Sequence, residues 1–202
     1  MNKKLNLEFF NRNTLEVAKD LIGKIIVRKY KDSLIKIRIT ETEGYTGIND
    51  KASHSYNGKI TDRTKVMFGN YGKTYIYLIY GMYNCLNFVT EEKGSGSAVL
   101  IREGKIIEGL DTASVLRYNK KYKNLNNYQK NNISNGPGKL TMSLNLTKKD
   151  NDTFLDSKDL YIEDDGYDGF KIGRGKRINI DYAEEAKDFL WRFYMKEDKN
   201  DI

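Results

Sequence analysis

The sequence predicts a single α+β domain. Strand-like and helix-like segments follow one another without the regular alternation that builds a doubly wound sheet. At 202 residues the chain fits one domain with a real core. A hydrophobic fraction of 39%, with 15 tyrosines and 8 phenylalanines, is too rich for disorder.

Taken in order, "NRNTLEVAKDLIGK" reads as a first helix: Asn11 or Asn13 caps it, Leu15, Ala18, Leu21 and Ile22 share a face, and Gly23 ends it. "KIIVRKY" and "SLIKIRITETE" form a pair of strands joined at Lys31 to Ser33. Residues 46–73 are polar and glycine-containing with little periodicity, and a span of that length without elements is functional or mobile. "TYIYLIYGMYNCLNFVT" is a strand, a turn near Gly81 and a second strand, and "SAVLIRE" is another strand. A helix is expected from about Glu108 to Arg117, followed by an Asn/Lys-rich linker over 118–135 inside the single domain 1–202. Pro137, the only proline, opens a short helix "PGKLTMSLNL". "DLYIED", "GFKIG" and "KRINI" are expected strands, "YAEEAKDFL" an expected helix, and "WRFYM" closes the pattern.

Thirty-five Lys and Arg against 28 Asp and Glu give a formal charge of +7, which favours a polyanionic partner; scattered lysines on a solvated surface would give the same total. The amino terminus lacks the apolar run of a secretory signal, and no stretch of 18 apolar residues is present, so a soluble, cytoplasmic protein without membrane contact is expected. One cysteine, Cys85, agrees with a reducing compartment, and its apolar neighbours argue for a structural thiol. One Cys and one His exclude a structural zinc site, and no metal or cofactor is expected.

The stretch "IKIRITETEGYTG" carries the chemistry. Ile35, Ile37 and Ile39 alternate with Lys36 and Arg38. If that strand runs on without a bulge, Glu41, Glu43 and Tyr45 follow the isoleucines onto the buried face, where an unpaired carboxylate is costly. Tyr75 and Tyr77 share one face of the next hairpin, while Tyr80 lies on the other face near its tip, an arrangement suited to stacking on planar ligands. His54, the only histidine, lies in the irregular span, where a lone histidine is more often structural or merely exposed than functional. "GPGKLT" is not a triphosphate loop, because Ile133 replaces its first glycine and Leu140 its Ser or Thr; a single-phosphate contact at Lys139 and a plain helix cap both fit it. Ionised carboxylates and aromatic faces without a metal or thiol describe hydrolysis of a nucleoside's glycosidic bond in nucleic acid.

The ordered set "ETEGYTGINDKASHS", "MFG", "TYIYLIYGMYNCLN", "AVLIRE", "GPGKL" and "WRFY" resembles the alkyladenine (3-methyladenine, methylpurine) DNA glycosylases, from "EVAKDLIGK" almost to the end of the chain. The resemblance implies one domain with a mixed or antiparallel curved sheet, peripheral helices and a protruding β-hairpin. It implies a monomer acting on double-stranded DNA that contains damaged purines, by water and without a lyase step. Glu43 matches the catalytic carboxylate and Arg102 the arginine beside the catalytic water. Tyr45, His54 and Tyr77 match the walls around a flipped base, Asn87 the amide that excludes guanine, and Tyr80 the wedge that fills the vacated duplex. Arg63, Met82 and Lys139 fall in segments expected to contact the DNA backbone, and Glu41 is the weaker carboxylate, with a structural role. The chain departs from the family at Leu190 and Lys176, where proline is usual, at Thr64, where asparagine is common, and after "AVLIR", where "EGKII" replaces an acidic-proline pair. A catalytically silent nucleic-acid binding module, or a hydrolase of RNA or free nucleosides, are the alternatives.

Overall fold

A computed structural model describes residues 2–197; Met1 and 198–202 of the expected domain lie outside the described residues. After a two-residue strand β1 (Lys3–Lys4), helix α1 (Thr14–Asp20) begins at Asn13, whose side chain accepts from the amides of Leu15 and Glu16. Strands β2 (Ile25–Tyr30) and β3 (Ser33–Tyr45) form a hairpin, and residues 46–73 carry only short 3-10 turns. The second hairpin is β4 (Thr74–Ile79) and β5 (Tyr83–Thr90), followed by β6 (Ser97–Glu108), which outruns the expected strand by several residues. Helices α2 (Leu110–Tyr118), α3 (Asn127–Asn131) and α4 (Pro137–Ser143) come next, then strands β7 (Leu160–Asp164), β8 (Phe170–Gly175) and β9 (Arg192–Glu197).

Every strand pairing among the described residues is antiparallel, in the order β1-β7-β2-β3-β6-β5-β4, with β9 paired to both β3 and β8. One sheet face packs on α1, α2 and α4 around Ile35, Ile37, Ile39, Leu86, Val99 and Ile101. The expected α+β fold with a projecting hairpin is what forms.

Four local expectations are corrected. "KRINI" is not a strand: Asn179 takes φ +60°, and the Ile178 amide donates to a carboxylate instead of a neighbouring strand. "YAEEAKDFL" forms only a 3-10 turn, Glu184–Asp188, because Glu184 adopts φ +47°, which an α-helix does not accommodate. The 118–135 segment is no plain linker; it holds a 3-10 turn at Tyr122–Asn124 and α3, closed by a reciprocal cap between Asn126 and Gln129. Finally, β3 does not run without a bulge. Its register against β6 slips between Ile39 and Glu41, leaving Thr40 extra on β3, and slips back between Glu41 and Thr42, leaving Arg102 extra on β6.

Candidate active site

The paired bulges decide where the glutamates go. Beyond them, Thr42 takes the core side, its hydroxyl donating to the Ala18 carbonyl of α1 at 2.7 Å. Gly44 lies on that side too, so close to the helix that a Cβ would stand 2.6 Å from Leu15 Cδ2. Glu43 and Tyr45 therefore face away from the isoleucine core, on the opposite side of the sheet. The bulge also places Arg102 on that side, so one irregularity in each strand brings an arginine and two carboxylates together.

Glu43 is fully buried. Its Oε2 accepts from the Tyr45 hydroxyl at 2.8 Å, and its Oε1 accepts from the Ile178 amide at 2.9 Å, with Arg102 Nη1 at 3.4 Å. Burial pushes its pKa above the ordinary carboxylate value, opposed by Arg102, the Tyr45 hydroxyl and the Ile178 amide. Burial and the neighbouring Glu43 carboxylate raise the Tyr45 phenol well above its usual range, so it donates and does not ionise. Two carboxylate oxygens offer about four acceptor positions, so after the two hydrogen bonds roughly two remain, one of them facing Arg102 and one for a water. Glu41 sits outside this pocket, accepting from Arg102 Nε at 3.0 Å and Arg192 Nη1 at 3.1 Å. It thus contacts the same arginine that stands beside Glu43.

In front of Glu43 lies a cavity of about 690 Å³, with Tyr45, His54, Tyr77, Asn87 and Arg102 on its walls. Tyr77 packs edge-on against His54, ring centroids 4.7 Å apart. His54 Nδ1 is 2.8 Å from the hydroxyl of Tyr75, itself tilted against Tyr77 with centroids 5.4 Å apart. Burial, helped by the Arg63 charge, lowers the His54 pKa to about 4, so the imidazole is neutral at neutral pH. The Asn87 Nδ2 donates to the Tyr75 carbonyl at 3.0 Å, which fixes the direction of the amide. Glu43 itself does not reach the cavity surface; Tyr45, Arg102 and Ile178 do.

The rim holds the remaining sequence-derived candidates. Tyr80 is 76% exposed at the tip of the β4–β5 hairpin and borders the cavity, whereas Met82, also exposed, stands on the same turn without bordering it. Arg63 approaches the Tyr77 ring, 5.9 Å from its centroid. Lys139 also borders the cavity, but its ammonium is held by Asn132 Oδ1 at 2.7 Å and Asn135 Oδ1 at 2.9 Å. The "GPGKL" glycine has a packing reason: a Cβ on Gly138 would meet Tyr83 at 2.9 Å, so α4 can lie against the hairpin only with glycine there. Thr64 is buried and bonded within its own turn, through Thr61 and Lys59. At the departures, Leu190 is exposed and Lys176 pairs with Asp188 on the surface.

Sequence reasoning missed the Ile178 amide as a member of this site. Tyr75, legible in its alternation with Tyr77, lies against His54 and Tyr77 as that face suggests, whereas Ile178 lay in a segment read as a strand and gave no signal. Among the described residues no group of three or more His, Cys, Asp or Glu side chains could hold a metal, and no helix is long and apolar enough to cross a membrane.

The sequence is similar to known proteins along nearly its whole length. A family model described as methylpurine-DNA glycosylase (MPG) matches residues 8–199. A protein of Alkaliphilus oremlandii is 51% identical over 194 residues, covering 96% of each chain. Others from Clostridium novyi, 52% identical over 197 residues (98% of this chain, 97% of its own), and Clostridium perfringens, 49% over 199 (97% of each), are equally close. All three are provisionally named 3-methyladenine DNA glycosylases. With a buried glutamate behind an aromatic cavity, and near-complete coverage in both directions, the chain belongs to the methylpurine-DNA glycosylase family.

Proposed function

We propose that this DNA glycosylase, a hydrolase of N-glycosyl bonds, draws alkylated or deaminated purines out of duplex DNA into the aromatic cavity and cleaves them from the sugar with a water activated by Glu43. The observation that carries the reading is the burial of Glu43 against Tyr45, Arg102 and the Ile178 amide, directly behind that cavity. Two hydrogen-bond donors and the Arg102 charge hold the carboxylate in one orientation and favour its ionised form against the cost of burial. The ionised group accepts a proton from water as the water adds to C1′ of the sugar.

The ring faces of Tyr45, His54 and Tyr77 supply stacking, worth about 1–3 kcal/mol per base. Purines alkylated at N3 or N7 are cationic, and electron-rich tyrosine faces attract cations, which favours such lesions over normal bases. The same charge makes the base a good leaving group, so one carboxylate suffices where sugar hydrolases commonly use two. Neutral lesions such as hypoxanthine need a proton, and neutral His54 is not a source of one at neutral pH. Tyr80 fills the gap left by the extruded nucleotide, and Arg63, Met82 and Lys139 contact the flanking backbone. Asn87 excludes guanine through its amide. The reaction uses water rather than a lysine, so no strand cleavage accompanies base release, and the protein works as a monomer without cofactor.

Glu43→Gln tests this directly: it should still bind a duplex carrying 3-methyladenine or hypoxanthine and release no base. Unchanged release would remove Glu43 from the chemistry. The occlusion of Glu43 favours a second reading, a silent binding module. Wild-type protein that binds lesion duplex and releases no base under any condition would establish it.

A further inference from the structure

Arg177 is the only lysine or arginine among the buried described residues, and nothing in the proposed chemistry uses it. Its side chain is fully buried, as is that of Asp50, and its two Nη atoms fork onto both Asp50 oxygens, Nη2 reaching Oδ1 at 2.8 Å. Nη1 also donates to the Gly44 carbonyl at 2.9 Å and Nη2 to the Ala186 carbonyl at 3.2 Å. The guanidinium carbon stands over two rings, 4.7 Å from the Tyr45 centroid and 4.8 Å from that of Trp191. Asp50 accepts in addition from the amides of Thr46 and Ala52.

Three of the elements around Arg177 border groups that hold Glu43. Gly44 follows Glu43 in the chain, Tyr45 donates to it, and Ile178, the residue after Arg177, donates its amide to it. The Trp191 carbonyl accepts from the Gly44 amide at 2.9 Å, closing the ring of contacts. Fold stability alone does not call for such a pair, since apolar residues of similar volume often replace a buried ion pair without loss. What arginine adds is a rigid planar fork with two stacking faces, which lysine and apolar residues lack.

We propose that Arg177 is a positioning residue for base excision: locked to Asp50 and standing over the Tyr45 and Trp191 rings, it fixes the Tyr45 hydroxyl and the Ile178 amide on the Glu43 carboxylate. This rests on Glu43 as the catalytic base. The charged and titratable groups around Glu43 are Arg102 and Glu41, Tyr45, Tyr77 and Cys85, and Arg177 acts through two of its donors instead of touching it. Loosening those donors weakens the ionised form of Glu43, so the rising limb of rate against pH moves to higher pH.

The test is single-turnover base release from a lesion duplex, with enzyme in saturating excess, measured across pH for Arg177→Lys, Trp191→Leu and Trp191→Phe. Saturating excess makes the rate independent of the fraction folded. Arg177→Lys is expected to lower the plateau rate by about tenfold, the scale of one lost hydrogen bond to a charged group, and to move the limb upward. Trp191→Leu should shift the limb in the same direction, and Trp191→Phe, which keeps a ring, should restore it. An unmoved limb and plateau in Arg177→Lys overturn the proposal; should that variant fail to fold, the same outcome in Trp191→Leu does so. Glu43→Gln run in parallel separates the two levels: active Glu43→Gln removes the base assignment, whereas inactive Glu43→Gln with an unmoved Arg177→Lys profile removes Arg177 alone.

Discussion

Arg102 donates from Nε to Glu41 Oε1 at 3.0 Å while its Nη1 stands 3.4 Å from Glu43 Oε1, so the outer carboxylate sets the arginine that steadies the inner one. Glu41→Gln keeps the shape and an acceptor but removes the charge that Arg102 and Arg192 share. Base release should fall by about tenfold, the scale of one charge-assisted hydrogen bond, well short of the loss in Glu43→Gln. Affinity for undamaged duplex should not change. Single-turnover rates for the two variants decide it, and equal losses would mean that Glu41 does more than hold Arg102.

Tyr45 both walls the cavity and donates to Glu43, and Tyr45→Phe separates the two roles. The ring stays, so stacking stays; the hydroxyl that favours the carboxylate goes, so the already raised pKa of Glu43 rises further. The rising limb of the pH–rate profile should move to higher pH with lesion affinity little changed. The same burial acts on folding. A carboxyl raised above its unfolded value contributes stability that is fully present below that value, and it is lost as pH rises through the folded one. Glu43→Gln, which does not titrate, should therefore melt above wild type at neutral pH, with the gap closing in acid. Thermal melts from pH 4 to pH 8 would show it; a constant gap contradicts the burial argument.

These relationships were legible in the sequence to different depths. The Ile35, Ile37, Ile39 alternation gave β3 and its core face, and "YGMY" gave the hairpin turn, because both signals are local. The parity argument that aimed Glu41 and Glu43 at the isoleucine core did not survive, since the bulges at Thr40 and Arg102 depend on two strands 60 residues apart in the chain. Glu43 is nonetheless buried, but behind the cavity and under the 176–180 segment, whereas Glu41 is only partly buried. That segment misled because "KRINI" has the composition of a strand, while its conformation is set by Asp50 and Glu43, which local pattern cannot register.

At the hairpin tip Tyr80 has φ +52° and Gly81 φ +69°, and the Met82 amide closes the turn onto the Ile79 carbonyl at 3.2 Å. Positive φ at both central positions is the geometry of a type I′ turn, which favours Asn or Gly. A tyrosine there costs about 1–2 kcal/mol in backbone strain, and its ring, largely exposed, recovers little by burial. Such a residue serves a partner better than it serves the fold. Tyr80→Gly should leave the melting temperature unchanged or higher, while base release from duplex DNA falls and release from a single strand, which has no gap to fill, is nearly retained. A fall in stability without a duplex-specific loss would make the tyrosine structural.

His54 is the only histidine in the chain, so its titration can be followed as a single resonance. Burial is the larger cause of its lowered pKa, and the nearby Arg63 charge is the smaller one. In wild type the imidazole should titrate near pH 4, against 6.5 for a free one. Arg63→Ala should raise the midpoint without returning it to 6.5, because burial persists. The unfolded chain binds this proton first as pH falls, so stability is complete above 6.5 and is lost between 6.5 and about 4, by ~3 kcal/mol at most. His54→Gln should flatten that part of the pH–stability curve. A wild-type midpoint near 6.5 would mean that the ring is hydrated and free to protonate. It would then be a proton donor available to neutral lesions, which the neutral imidazole is not.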